Sequence, residues 1–284
     1  LKSEINIVYE YLPRLTRGSG DAARHLLKIT KEKYACYSCD DDYQVPNSLT
    51  ISARFLENNP DYASAGGHPL HFSLKGNGVY GELNRLSDCP IPEILEEKAG
   101  DRLIHFFYNN FVPFFLVCKK DELLKSHDYA LRIKDRILSS ELILSALAIT
   151  AGKSTTLDCL GNIRQMHNTN YEPPTTFEWI IAPEWNESYK IFENAISESI
   201  SKKDNISFNN AVKITRRAFP GQIIKWLVGV KNLKSTAKKN YFWSKSLKPL
   251  RSKIAGTFPF LKYIYRVQVR PRLTGKKDLH YEAL

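Results

Sequence analysis

The sequence predicts an α/β fold: a sheet flanked by helices over residues 1–170, joined to a mainly helical, basic region over 171–284. Three observations lead there. Short β-branched or apolar runs alternate with stretches of helical spacing through the first half, as in a sheet with helices packed on it. Gly, Pro, Asn and Asp clusters punctuate those runs. Charge is split along the chain: residues 201–284 hold 20 Lys or Arg against 3 Asp or Glu, a net of +17, whereas residues 1–200 hold 21 against 27, a net of −6.

Each element follows from local pattern. Residues 5–12 (INIVYEYL) have strand composition and end at Pro13. Gly18-Ser19-Gly20-Asp21 breaks the chain, and 22–30 (AARHLLKIT) carries apolar residues at helical spacing. Residues 34–39 (YACYSC) read as a short strand whose tip carries Asp40, Asp41 and Asp42, the end at which open α/β sheets hold ligands. Pro46-Asn47-Ser48 opens a helix that stops at Asn59-Pro60. A strand over 62–65 is expected to end at Gly66-Gly67, and 76–100, rich in Gly, Pro, Asn and Asp, to form a long loop. Residues 102–110 are amphipathic, and 112–117 (VPFFLV) read as a buried strand followed by a polar stretch. The apolar helix 137–150 (ILSSELILSALAIT) is expected to be capped by Ser139 or Ser140, which puts Glu141 in its first turn, and to close at Gly152 with Lys153 beside the last carbonyls. Residues 171–187 form a connection and 189–201 a helix.

Composition bounds the function. With 43% hydrophobic and 25% charged residues over 284 positions, the chain is neither disordered nor fibrous. No run of about 18 apolar residues argues for a membrane span, and no secretory pattern opens the chain, so a cytoplasmic protein is expected. Five cysteines suit a reducing compartment. Cys36 and Cys39 have no second pair to complete a zinc site, and read as buried thiols. Gly152-Lys153-Ser154-Thr155 imitates a phosphate loop, but position 147 is Leu where that loop needs Gly. His68 and His71 read as solvated or hydrogen bonded, with shared metal ligation the alternative.

Three adjacent aspartates repel one another unless a cation lies among them. Carboxylates at i and i+2 can converge on a hard cation that also bridges phosphate oxygens; a solvated acidic turn is the alternative.

The stretch GSGDAARHLLKITKEKYACYSCDDDYQVPNSLTISARFLENNPDYASAGG resembles the nucleotide-sugar half of the family-2 glycosyltransferases of the GT-A fold, a Rossmann-related mixed sheet flanked by helices. Ala23-Arg24 matches the family's Ala-Arg-Asn-like motif, with His25 where Asn is usual, and Asp40 and Asp42 match the outer residues of its Asp-x-Asp signature. ELILSALAITAGK resembles the helix after the catalytic carboxylate, with Glu141 eleven residues before Gly152 and Ser140 in place of the usual preceding acid.

The resemblance spans residues 5–168 and is most specific over 18–67. It implies inverting, metal-dependent transfer of a sugar from a nucleoside diphosphate donor to a glycan or other hydroxyl acceptor, as in bacterial surface-polysaccharide assembly. By it, Asp42 holds Mn²⁺ or Mg²⁺ directly, and Asp40 contacts the ribose or the metal's water. Asp41 and Arg24 help to hold the nucleotide, and Glu141 is the general base. Arg164 and His167 are candidates for phosphate contact, a surface role being the alternative. Family members open with a further strand and a base-binding segment that residues 1–4 do not supply; either that segment lies upstream or the base site is absent. A sugar-phosphate nucleotidyltransferase is a second enzyme reading, but the Gly-rich basic activation loop it needs is missing. The basic region reads as a solvated basic face over an aromatic core, with peripheral membrane association at the inner face, by way of residues 223–230 (IIKWLVGV), as the alternative and nucleic acid less favoured.

Overall fold

A computed structural model of the chain describes residues 9–12, 19–39, 42–77, 80–109, 115–166 and 174–224. The chain divides into two compact units, Leu1–Trp226 and Leu227–Leu284. All described residues belong to the first; the basic region from 225 onward lies outside them, as do residues 5–8 of the strand expected over 5–12 and 112–114 of that expected over 112–117, while 9–12 are not strand and the second strand begins only at Val117.

The first unit is α/β, with a mixed sheet flanked by helices. Its spine is a parallel pair of long strands, β3 (Tyr62–Leu74) and β6 (Lys153–Gln165). The sheet order is β1-β5-β3-β6-β2, where β1 is Tyr34–Ala35, β2 Asp42–Gln44 and β5 Val117–Lys119; β4 (Leu83–Asp88) pairs with β3 off this path. Apart from β3 with β6, every pairing is antiparallel. A parallel pair needs a long crossover, and α3 (Ala99–Asn109), α4 (Lys120–Ala130) and α5 (Ile143–Ala151) occupy it.

Gly66-Gly67 does not end the strand. A Cβ on Gly67 would stand 2.5 Å from the Cys159 carbonyl oxygen, and one on Gly161 2.5 Å from the Gly67 carbonyl oxygen. The glycines therefore let two backbones touch at a register shift between Gly67 and His68. Past this contact β3 runs on to Leu74 and pairs with β4, where a loop was expected. The turn between them uses positive φ at Gly76 (82°) and Gly81 (149°). Five of the six β4 residues are exposed, so no buried alternation marked it as a strand.

The helices form as their ends dictate. Pro46 opens α2 (Pro46–Asn58), which packs Leu56 into the sheet beside Ala65 and Val117. Thr175 and Glu178 make a capping box on α6 (Thr176–Ile180), Ser207 caps α8 (Phe208–Ala218), and α7 (Trp185–Asp204) stops at left-handed Asn205. A helical core joins α3, α5, α7 and α8 through Leu103, Phe107, Ile143, Phe192, Ala211 and Phe219. The compact unit thus includes α6 to α8 as well as the sheet.

Two expected helix ends are corrected. Helical structure begins at 136, not at Ser139 or Ser140: buried Asp135 accepts from the Leu138 N–H at 2.7 Å, while its other oxygen accepts from Trp179 Nε1 at 2.8 Å. A carboxylate supported from two sides outcompetes an exposed serine as a cap. At the other end Lys153 enters β6 and pairs with Asp61 and Glu97. Buried Arg102 meets the last carbonyls instead, reaching Ile149 O at 2.8 Å and Thr150 O at 3.0 Å.

Candidate active site

Between 136 and 151 the helix contains a π-helical turn, Leu138–Leu142, in which the Ile143 N–H reaches back to Leu138 O. Such single-turn bulges recur at functional sites, and this one carries Glu141. The side chain opens onto a cavity of about 710 Å³, walled by Gly20 and Ala23 of α1 (Ser19–Ile29), Tyr37, His127 of α4 and Leu144. That volume is in the range of small-molecule sites, roughly 300–1,000 Å³. Although Glu141 meets solvent there, the surrounding protein removes enough water to push its carboxyl above the ordinary glutamate value, and the Arg164 charge partly opposes the rise. Because the helix starts earlier than expected, Glu141 lies beyond its first turn. Burial therefore dominates over the helix N-terminus, and the carboxylate is a stronger base than a first-turn position implies.

Arg164 is the hub of the other half. It lies opposite Asp42 across β2 and β6 and opposite His71 across β6 and β3. Its Nε is 3.7 Å from Asp42 Oδ1, and its guanidinium lies over the Phe115 ring, 4.9 Å from the centroid. The Asp42 side chain is fully enclosed. His71 is held below its usual range by burial first and by Arg164 second, with Asp42 acting against both. One guanidinium therefore pairs with Asp42 and also acts electrostatically on Glu141.

Asp40 and Asp41 lie outside the described residues, but the segment is closed at its base. Gln44 Nε2 donates to Tyr37 O at 2.8 Å, and the Asp42 N–H to Cys39 O at 3.2 Å. The strand expected over 34–39 is only Tyr34–Ala35, and Asp42 opens β2 rather than following the tip of that strand. Tyr37 is also fixed through its hydroxyl, which is hydrogen bonded to His127 Nε2 with the rings edge to face. Burial pushes His127 down to about 4 and Tyr37 up. Both are neutral near pH 7.

Arg24 lies on α1 beside the cavity-lining Ala23 and forms an ion pair with Asp128 of α4, Nε to Oδ1 2.5 Å. That pair joins two helices of the cavity wall. His68 and His71 both belong to β3 rather than to a loop. Among the described residues no group of three or more His, Cys, Asp or Glu is placed to hold a metal ion. The donor chemistry of the acidic segment, carboxylate oxygen throughout, fits a hard divalent cation.

Tyr37 and His127 were not legible as site residues, because nothing in sequence marks 120–130 as a packed helix. No family model matches the chain, and no curated protein matches it.

Proposed function

We propose that the chain is an inverting glycosyltransferase that moves a sugar from a nucleoside diphosphate donor to a hydroxyl of a glycan or other acceptor. The observation that carries this reading is the pairing of Arg164 with the enclosed Asp42 of the acidic triplet, together with its electrostatic opposition to the raised carboxyl of Glu141 on a cavity wall. Asp42, with Asp40, would hold Mn²⁺ or Mg²⁺, which supplies Lewis-acid charge stabilisation to the leaving diphosphate. Asp41 and Arg24 hold the nucleotide; for Arg24 this means exchanging Asp128 for donor oxygens.

Glu141 accepts the proton of the acceptor hydroxyl as its oxygen attacks the anomeric carbon. The C–O bond to the diphosphate breaks on the opposite face, and the configuration inverts. Arg164 opposes the rise that burial imposes on Glu141 and so favours its ionised form.

Diphosphate release by the full chain, supplied with Mn²⁺ and uridine- or guanosine-diphosphate sugars plus acceptor, tests the reading. Asp42→Asn should lower release by about two orders of magnitude or more, the scale of a lost electrostatic stabiliser. Undiminished release in that variant counts against Asp42.

Arg164 predicts a pH effect. Its charge holds the Glu141 carboxyl down against burial, so Arg164→Met should let it rise. The acid limb of the rate profile, below which the base is protonated, should then move to higher pH. A fixed acid limb contradicts the assignment of Glu141 as base.

A further inference from the structure

α8 and the residues after it present one exposed stripe. Asn209, Lys213, Arg216, Arg217, Pro220 and Ile224 are all exposed, and their spacing of three or four places them on one side of the helical path. The opposite side, with Ala211, Thr215, Ala218 and Phe219, is buried.

Residues 205–224 contain no Asp or Glu, unlike the mixed-sign faces usual on soluble surfaces. Arg216 is neutralised by Glu193 of α7, Nε to Oε1 2.8 Å and a second guanidinium bond of 3.0 Å to Oε2. Lys213 and Arg217 form no ion pair in the described structure. The stripe ends on Ile224, 51% exposed, and the sequence runs on from there as KWLVGVKNLK, with 15 Lys or Arg against 2 acidic residues over 225–284.

We propose that this stripe is a docking surface for an anionic lipid bilayer. Two unneutralised cations provide attraction to the headgroup layer, and the apolar end of the stripe can enter the interface. The apolar character of Ile224 and of the sequence beyond it favours a bilayer over nucleic acid, whose phosphates reward cations but leave an exposed Ile without a hydrocarbon phase. No described helix is long and apolar enough to cross a membrane, so the surface would lie on the bilayer.

Flotation of the full chain with vesicles of phosphatidylcholine, alone or mixed with phosphatidylglycerol, tests this. Binding should require phosphatidylglycerol and weaken with added salt. Lys213→Ala/Arg217→Ala should weaken it about thirty-fold, each cation near an anionic surface being worth about a factor of five. Both side chains are exposed, so an unchanged circular dichroism spectrum and melting temperature are expected to accompany the loss. Ile224→Ser should lower the binding that remains at high salt. Equal binding to phosphatidylcholine alone, or undiminished binding by the double variant, overturns the proposal. Binding of duplex DNA with no binding to vesicles, lost in the same variant, reassigns the stripe to nucleic acid and also overturns it.

Discussion

Glu141→Gln should slow sugar transfer by about two to four orders of magnitude, the range for a lost general base, while donor binding and folding persist. Glutamine keeps the shape of the side chain but cannot take the acceptor's proton. Stability should move the other way. The folded-state pKa of Glu141 is raised by burial, so between the unfolded and folded values the native state binds more protons than the unfolded chain. Stability conferred by the protonated carboxyl is thus full below the unfolded pKa and is lost as pH rises through the folded one. At pH 7 the wild type bears an ionised group in a partly dehydrated site, and a neutral amide relieves it. The melting temperature of Glu141→Gln at pH 7 should equal or exceed that of the wild type, with the difference vanishing toward pH 4. Loss of activity without loss of stability separates a chemical role from a structural one; full activity removes Glu141 from the mechanism.

Gly161→Ala should cost about 3 kcal/mol, the upper end of overpacking penalties. Its Cβ would fall 2.5 Å from the Gly67 carbonyl oxygen and 2.7 Å from the carbon. Those are backbone atoms of the neighbouring strand, which can retreat only by opening the β3–β6 pairing. For a unit of this size the expected fall in melting temperature is roughly 6–12 °C. Arg164 lies three residues along the same strand, so its alignment with Asp42 should suffer too. Gly76→Ala is the control: its φ of 82° makes a side chain strained, but nothing lies within 4 Å of the added Cβ, and the expected cost is only about 1–2 kcal/mol. Equal melting of Gly161→Ala and wild type contradicts the close strand contact.

What could be read from sequence was what local chemistry controls. The apolar spacing of 22–30 gives α1, Pro46 and Asn59-Pro60 bracket α2, and the pattern of 189–201 gives the body of α7. Glu141 stood out as a candidate only through the resemblance of ELILSALAITAGK to the helix after a catalytic carboxylate. Its setting was not legible, because the cap at Asp135 depends on Trp179, 44 residues away. β6 escaped notice since Lys153–Gln165 mixes polar and apolar residues without alternation, its burial varying along the strand as different neighbours cover it. With β6 unseen, the pairing of Arg164 with Asp42 could not be read. α4 looked polar because only Leu123, Ser126, His127 and Ala130 of its residues are buried, two of them polar types that hydropathy counts as surface. The Gly66-Gly67 pair shows one signal with two meanings: glycine ends strands, and it also lets strands touch, a choice made by a partner some ninety residues on.

The central claim is that the acidic triplet and the Glu141 cavity form a metal-dependent site for an activated sugar. Calorimetric titration of the full chain with uridine- and guanosine-diphosphate sugars, with and without Mn²⁺, tests it most directly when run in parallel on Asp42→Asn. The account predicts affinity for at least one such sugar that requires the metal and is lost in the variant. Binding that ignores both the metal and the Asp42 substitution, or no binding to any of these sugars with the metal present, would contradict it.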